Sequence, residues 1–205
     1  MKTIRTFIAI ELSDEVRQSI NATILRYQGL IPSDWVKWVS TKNLHLTLKF
    51  LGDTPLTLIA SIREQMDKLS TTTPAFQFIA AAAGMFPSAK KPRVIWIGLD
   101  NRTTLVGLSK GLDDTLESLK ITREEKPFSP HLTIGRVYQG LTEQQLMKLG
   151  EVILRNQPGE IGKVLVEHIC LIKSDLLQTG PIYTVLHRSD LHAILQTLES
   201  LNNPC

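Results

Sequence analysis

Apolar side chains recur three or four positions apart in four stretches of the chain, which is the spacing of amphipathic helices. Ser13 precedes the first stretch and is a residue type that caps helix N-termini well. Thr142 and Gln145 form a capping-box pattern before the last one. We therefore predict four helices, which lie after Ser13, between Pro55 and the Ser-Thr-Thr-Thr-Pro run at 70–74, across 105–119, and after Thr142.

Between these helices lie runs rich in β-branched and aromatic residues, the composition typical of strands. They predict strands at 4–11, 44–51, 75–81, 93–99, 131–138, 164–172 and 181–187. This mixture predicts an α+β protein. The order of strands and helices before 84–92, "GMFPSAKKP", resembles the order after it, so we place the parting of two related halves there. We expect one domain over 1–205, with two pseudo-symmetric lobes of antiparallel sheet, helices outside and a groove between the lobes.

Composition narrows the class of protein without naming a function. The chain has 205 residues, of which 42% are hydrophobic and 21% charged, as in ordinary globular proteins. The net charge of +3 arises from 23 basic and 20 acidic residues. That balance does not favour a surface that coats nucleic acid, so any anion-binding site must be local.

Cysteine usage and hydropathy indicate a cytoplasmic protein. Cys170 and Cys205 are the two cysteines, which is too few for a disulfide framework. Glu11 closes the N-terminal apolar run too early for a signal peptide, and no other run approaches the ~20 apolar residues that span a bilayer. We expect no membrane association and a monomer.

One tripeptide occurs twice: "NLHLTLKF" covers 43–50 and "SPHLTIGR" covers 129–136. Two of the five histidines are therefore spent on His-Leu-Thr. Because side chains alternate along a strand, His45 and Thr47 share one face, and His131 and Thr133 share another. If the two halves pack about a pseudo-dyad, these two faces meet across a groove.

Two imidazoles beside one target can act as a general acid and a general base, since the pKa of histidine lies near neutrality. Two threonine hydroxyls between them can donate hydrogen bonds to the oxygens of an anion. This set of groups suits the hydrolysis of a phosphodiester without a metal or another cofactor.

Several segments carry a resemblance to a known family: "RTFIAIEL", "WVSTKNLHLTLKFLGD", "KPRVIWIGL", "FSPHLTIGRV" and "GPIYTVLHR". They resemble, in the same order over 3–188, the RNA 2′,3′-cyclic phosphodiesterases of the two-histidine phosphoesterase superfamily. The resemblance implies that His45 donates a proton to the departing ribose 3′ oxygen and that His131 activates water. It also implies that Thr47 and Thr133 hold the phosphate oxygens, that Arg136 adds positive charge near the phosphate or the RNA strand, and that the product is a 2′-phosphate.

Other functions remain open beside this one. The same groups could run the reaction in reverse and join RNA ends through a 2′-5′ linkage, or the fold could bind RNA ends without catalysis. The RNA partner would carry a 2′,3′-cyclic phosphate end, with tRNA fragments and nucleotides among the candidates. Zinc is not expected, because His168, Cys170, His187 and His192 lack the usual ligand spacing.

Four aromatic residues are candidates for stacking on a nucleobase: Phe7, Trp38, Phe50 and Phe128. Packing in the core is the alternative for each. Lys90, Lys91 and Arg93 fit a solvated loop better than an RNA-binding patch.

Overall fold

The computed structural model describes residues 2–178 and 180–193, and Cys205 lies outside this range. Within it, nine strands and four α-helices follow one another along the chain. Their bounds are β1 (Thr3–Glu11), α1 (Asp14–Gln28), β2 (Val36–Trp38), β3 (His45–Pro55), α2 (Ile59–Thr72), β4 (Phe76–Phe86), β5 (Val94–Leu99), α3 (Arg102–Leu116), β6 (His131–Val137), α4 (Glu143–Arg155), β7 (Glu160–Val166), β8 (His168–Leu177) and β9 (Gly180–Asp190).

The strands form two antiparallel sheets, which confirms the α+β class. The first sheet has the strand order β3-β1-β8-β9, and the second has the order β2-β6-β5-β4-β7. One His-Leu-Thr strand therefore belongs to each sheet. None of the helices in the described part of the chain is both long and apolar enough to cross a membrane.

The four predicted helices are confirmed, and two of them are capped as their sequences indicate. The Ser13 hydroxyl accepts a hydrogen bond from the Val16 amide at the start of α1. Thr142 and Gln145 form the reciprocal capping box at the start of α4. Such caps supply acceptors to amides that have no partner inside the helix, so local residue choice sets these boundaries.

The predicted boundary at 84–92 between the two halves of the chain does not coincide with a boundary between the two sheets. β4 continues to Phe86, which pairs with Val94 of β5, so this segment is a hairpin inside the second sheet. The first sheet instead combines strands from both ends of the chain, because β1 pairs with β3 on one side and with β8 on the other. Long-range strand pairing, which leaves no local signal, decides how the sheets divide.

The strands of the structure differ from the predicted strands in two further places. The predicted strand 164–172 is two strands, β7 in the second sheet and β8 in the first, and they are separated at Glu167. Apolar residues continue on both sides of this position, so composition does not mark the change of sheet. The three-residue β2 was not predicted, because so short a strand has no periodicity to detect.

The aliphatic residues of the two motifs anchor their strands in one hydrophobic core. Leu46 and Leu48 of β3 are 0% and 2% exposed, and Leu132 and Ile134 of β6 are both 0% exposed. Burial of one such side chain stabilises the fold by about 1.5–3 kcal/mol. These aliphatic side chains thus anchor one face of each strand in the core, and the histidines and threonines remain on the opposite face.

Candidate active site

A groove with a volume of about 730 Å³ is lined by residues of both sheets. His45 and Thr47 of β3 line it from the first sheet, and His131 and Thr133 of β6 line it from the second. The structure therefore brings the two motifs to a single cavity, although 85 residues separate His45 from His131 along the chain. This shared groove is the candidate active site.

Equivalent hydrogen bonds orient the two imidazoles. Nδ1 of His45 lies 2.8 Å from the carbonyl oxygen of Asn43, and Nδ1 of His131 lies 2.7 Å from that of Ser129. A carbonyl oxygen can only accept, so each Nδ1 must carry a proton and donate it. In the neutral rings, Nε2 is then the unprotonated nitrogen, which is able to accept a proton from a bound molecule.

Aromatic rings hold the imidazoles in place. Phe7 stacks on His45 with ring centroids 4.8 Å apart, and Tyr183 meets the same ring edge-on at 5.1 Å. Phe86 meets His131 edge-on at 5.0 Å. Such contacts restrict ring rotation, and they also exclude water from one side of each imidazole.

Burial lowers the pKa of both histidines. It brings the pKa of His45 from 6.5 to about 4, and the hydrogen bond to Asn43 opposes this only in part. Burial also lowers the pKa of His131, and the positive charge of Arg136 acts in the same direction. Burial disfavours the charged imidazolium in each case. Both histidines are therefore neutral at pH 7 in the protein alone.

A β-bulge follows each motif at the same position. The pairing of β3 with β1 skips Leu48, and the pairing of β6 with β5 skips Ile134. An extra residue reverses the alternation of side chains beyond it. Phe50 and Arg136, each five positions after a histidine, consequently line the groove, although strict alternation would place them on the opposite face.

A buried ion pair supports the groove from below. Lys49, whose side chain is 1% exposed, pairs with Asp113 of α3. Its ammonium group also donates to the carbonyl oxygen of Thr122, at 2.9 Å. This lysine therefore ties β3 to α3 and to the segment that leads into β6. The one sign of this role in the sequence is that Lys49 is a charged residue within an apolar strand.

Positive charge predominates along the groove. Arg5, Lys37, Lys49, Lys126 and Arg136 line it, and Glu124 is the one carboxylate among the described lining residues. Within residues 2–178 and 180–193, none of these cations except Lys49 has a carboxylate oxygen within 4.0 Å. The groove thus concentrates positive charge that the overall composition does not reveal, which suits an anionic ligand.

The four aromatic candidates differ in their environments. Phe7 is buried and packs against His45, so it supports the histidine and is not free to stack on a base. Trp38 lines the groove and stacks on Tyr27 at 6.1 Å, and Phe128 packs partly against the core. Phe50 is 59% exposed inside the groove, which leaves its ring accessible to a ligand.

The lysine-rich loop and the remaining histidines lie apart from the groove lining. Lys91 of the β4–β5 hairpin pairs with Glu143, at 3.4 Å, as a solvated loop residue would. His187 bonds through Nε2 to Asp67 of α2 at 2.7 Å. Neither of these side chains nor that of His168 is among the groove-lining residues.

One group of potential metal ligands combines Glu11 with two of the residues that were considered for zinc, His168 and Cys170. Ligand atoms of Glu11, His168 and Cys170 lie within 4.8 Å of one another. Arg188 donates two hydrogen bonds to Oε2 of Glu11, at 2.9 and 3.2 Å, and so occupies the carboxylate. Burial raises the pKa of Cys170 to about 12, which disfavours the thiolate that a metal requires. The surroundings of this cluster therefore fit an ion-paired network better than a metal site.

Known sequences similar to this chain agree with one another in the family that they indicate. A family model described as LigT like phosphoesterase matches residues 10–96. An RNA 2′,3′-cyclic phosphodiesterase of Methanothermobacter thermautotrophicus is 34% identical over 184 residues, which cover 88% of this chain and 95% of the relative. The enzyme of the same name from Thermotoga maritima is also 34% identical, over 89% of this chain and 93% of its own.

Solved structures share the architecture. The protein TT0787 of Thermus thermophilus superposes with a TM-score of 0.76 at 28% identity, covering 93% of this chain and 99% of that one. The apo form of LigT from E. coli gives a TM-score of 0.74 at 24% identity, covering 94% of this chain and 99% of its own. The latter likeness is one of fold. The overall fold is therefore shared with these two solved structures.

Proposed function

The chain belongs to the family of LigT-like RNA 2′,3′-cyclic phosphodiesterases, and we propose on this premise that it hydrolyses RNA 2′,3′-cyclic phosphate ends to 2′-phosphomonoesters. The observation that carries the proposal is the placement of two His-Leu-Thr motifs on opposite walls of one positively charged groove. No metal is needed in this reaction, because the chain's own side chains supply an acid, a base and donors for the phosphate oxygens.

His131 acts as the general base in this proposal. Its Nε2 takes a proton from a water molecule, the water oxygen attacks phosphorus, and the bond between phosphorus and the ribose 3′ oxygen breaks. His45 acts as the general acid and delivers its Nε2 proton to that 3′ oxygen. The phosphate remains on the 2′ oxygen, and the proton balance closes when His131 releases its proton and His45 regains one.

The low pKa of His45 has a direct consequence for this mechanism. An imidazole with a pKa of about 4 is neutral at pH 7 and cannot serve as the acid until its pKa rises. A bound phosphodiester carries a negative charge, and an adjacent opposite charge favours the imidazolium. Substrate binding is therefore coupled to proton uptake by His45.

The threonines and Arg136 hold the phosphate group. Thr47 and Thr133 share a strand face with the neighbouring histidine and line the same groove, so their hydroxyls can donate to the non-bridging oxygens. Arg136 reaches the groove because of the bulge in β6 and adds positive charge near the phosphate or the RNA strand. These interactions strengthen as negative charge develops in the transition state.

The cellular setting is part of the same proposal. The protein acts in the cytoplasm, as one domain and as a monomer, on RNA with a cyclic phosphate end, such as a tRNA fragment, or on a cyclic nucleotide. Cys170, which is buried and has no disulfide partner among the described residues, is compatible with a reducing compartment. Ligation through a 2′-5′ linkage uses the same acid and base in the reverse direction, so it is a second outcome to be tested.

The deciding experiment offers an oligoribonucleotide with a 2′,3′-cyclic phosphate end and identifies the product isomer. We expect the 2′-phosphate. His45→Ala and His131→Ala should each lower turnover about 10²–10⁴-fold, because each removes one proton-transfer group. The double variant should lose less than the product of the two single losses, since both groups act on one phosphate.

His168→Ala is the matched control, because this histidine lies outside the groove lining. It should retain turnover. Loss of activity in a folded His168→Ala variant, with activity retained in His131→Ala, would contradict the assignment of the two motifs. Binding of the RNA end without turnover would identify a non-catalytic binding module, and a 2′-5′ joined product with an added 5′-hydroxyl RNA would identify ligation.

A further inference from the structure

Two cations face each other across the edge of the second sheet. In the pairing of β2 with β6, Lys37 is the direct partner of Arg136. Both residues are exposed, and both line the groove. Like charges directly opposite each other in an antiparallel pair destabilise the sheet. Folding alone therefore gives no reason for this arrangement.

No acidic side chain compensates this pair in the part of the chain that the structure describes. Neither Lys37 nor Arg136 has a carboxylate oxygen within 4.0 Å there. The next residues on either side of Lys37 are the apolar Val36 and Trp38. The two positive charges consequently remain available to an anion that enters the groove.

The position of Lys37 separates it from the reacting phosphate. Arg136 lies three residues beyond Thr133 on β6, which is at most about 10 Å at ~3.3 Å per residue. Lys37 lies on the adjoining edge strand, a further ~4.8 Å away in the direction across the sheet. This span is wider than one phosphate group. Arg136 extends toward the histidines, since its charge lowers the pKa of His131, whereas Lys37 lies one strand farther out. An anion that contacts Lys37 is thus a different one from the phosphate between the histidines.

We propose that Lys37 binds the phosphodiester that joins the cyclic-phosphate nucleotide to its 5′ neighbour, with Arg136 between this phosphodiester and the reacting phosphate. The inference rests on the proposed function and makes it more specific. The substrate is an oligonucleotide end, because a cyclic mononucleotide has no second phosphate to place against Lys37. Lys37 is a specificity-determining residue, and it takes no part in the proton transfers.

Three substrates test the inference. They are cytidine 2′,3′-cyclic phosphate, the dinucleotide ApC with a 2′,3′-cyclic phosphate end, and the same dinucleotide with an uncharged methylphosphonate internal linkage. The wild-type protein should show a kcat/KM for the charged dinucleotide about tenfold above that for the mononucleotide. The methylphosphonate should lose most of this advantage, because it keeps both bases and removes only the charge.

Lys37→Gln is the informative variant, and Lys148→Gln on the exposed side of α4 is its matched control for the loss of one positive charge. In Lys37→Gln, the ratio of kcat/KM between charged dinucleotide and mononucleotide should fall about threefold to tenfold. The substitution should change kcat/KM for the methylphosphonate dinucleotide by no larger a factor than kcat/KM for the mononucleotide. The slope of log kcat/KM against log salt for the charged dinucleotide should become shallower by about 0.7. Lys148→Gln should alter neither the ratio nor the slope.

The outcomes distinguish this inference from the function on which it rests. A ratio that is unchanged in Lys37→Gln, in protein that still hydrolyses the mononucleotide, overturns the inference and leaves the proposed function standing. An equal wild-type preference for the methylphosphonate and the charged dinucleotide also overturns it, since the preference would then come from the bases. Failure of the wild-type protein to hydrolyse any of the three substrates overturns both.

Discussion

Replacement of His45 should remove a pH dependence from the stability of the folded protein. Burial lowers the pKa of His45 to about 4 in the native state, whereas the exposed side chain in the unfolded chain keeps the ordinary value of 6.5. The native state therefore binds the proton less readily than the unfolded state. Stability from this group is fully present above pH 6.5 and is lost as the pH falls toward 4.

The magnitude follows from the two pKa values. Because the pKa of His45 is 6.5 in the unfolded chain and about 4 in the native state, the unfolding free energy decreases by about 3 kcal/mol once the pH has dropped to 4. This is a large share of the 5–15 kcal/mol that is typical of a domain. His131 contributes in the same direction, because burial lowers its pKa too.

Urea unfolding of the wild type and of His45→Gln between pH 8 and pH 4 measures this contribution. Glutamine keeps a polar side chain without a titration in this range, and carboxylates that titrate in both proteins cancel in the difference. The stability advantage of the wild type should shrink by about 3 kcal/mol toward pH 4. A difference between the two proteins that stays constant over this range would refute the buried, neutral state of His45.

Phosphate binding by the threonines gives a second prediction: Thr47→Ala and Thr133→Ala should each lower kcat/KM about tenfold to a hundredfold, because a hydrogen bond to a charged partner contributes roughly 1.5–3 kcal/mol. Unaltered kinetics in both variants would assign the hydroxyls to strand structure alone. Asp113→Ala should lower the unfolding free energy by about 3–5 kcal/mol, because it leaves the ammonium group of Lys49 buried without its carboxylate. Lys49→Met combined with Asp113→Leu should recover most of that loss in urea unfolding, and equal stability of all three proteins would contradict the role of the ion pair. EDTA should leave turnover of a cyclic phosphate unchanged, whereas a rate abolished by EDTA and restored by zinc would contradict the acid–base mechanism.

Local sequence chemistry was sufficient to predict most of the elements of this fold. Helix starts at Ser13 and Thr142 follow from side-chain acceptors that lie next to the amides they cap, so a few neighbouring residues contain the whole signal. The alternation within each His-Leu-Thr strand likewise follows from backbone geometry. The repeat of that tripeptide was enough to predict which residues would face a groove.

The assembly of the sheets depended on interactions that the local sequence does not contain. The pairing of β1 with β8 joins residues that are more than 150 positions apart, and the hairpin at 84–92, where the two halves of the chain were predicted to meet, lies within one sheet. Strand partners are selected by the burial of complementary faces over the whole chain. A loop with glycine, proline and lysine has the same composition whether it separates lobes or turns a hairpin.

The amino-acid sequence specifies the catalytic groups that this protein brings to its groove, whereas the packing of its strands sets their orientation and their surroundings. The bulge at Ile134 turns Arg136 toward the groove, and strand register sets Lys37 opposite it. The pKa of His45 depends on its burial next to Phe7 and Tyr183, which belong to two other strands, β1 and β9. Register, bulges and desolvation arise only when strands pack together, because each is a property of two or more segments and of none of them alone.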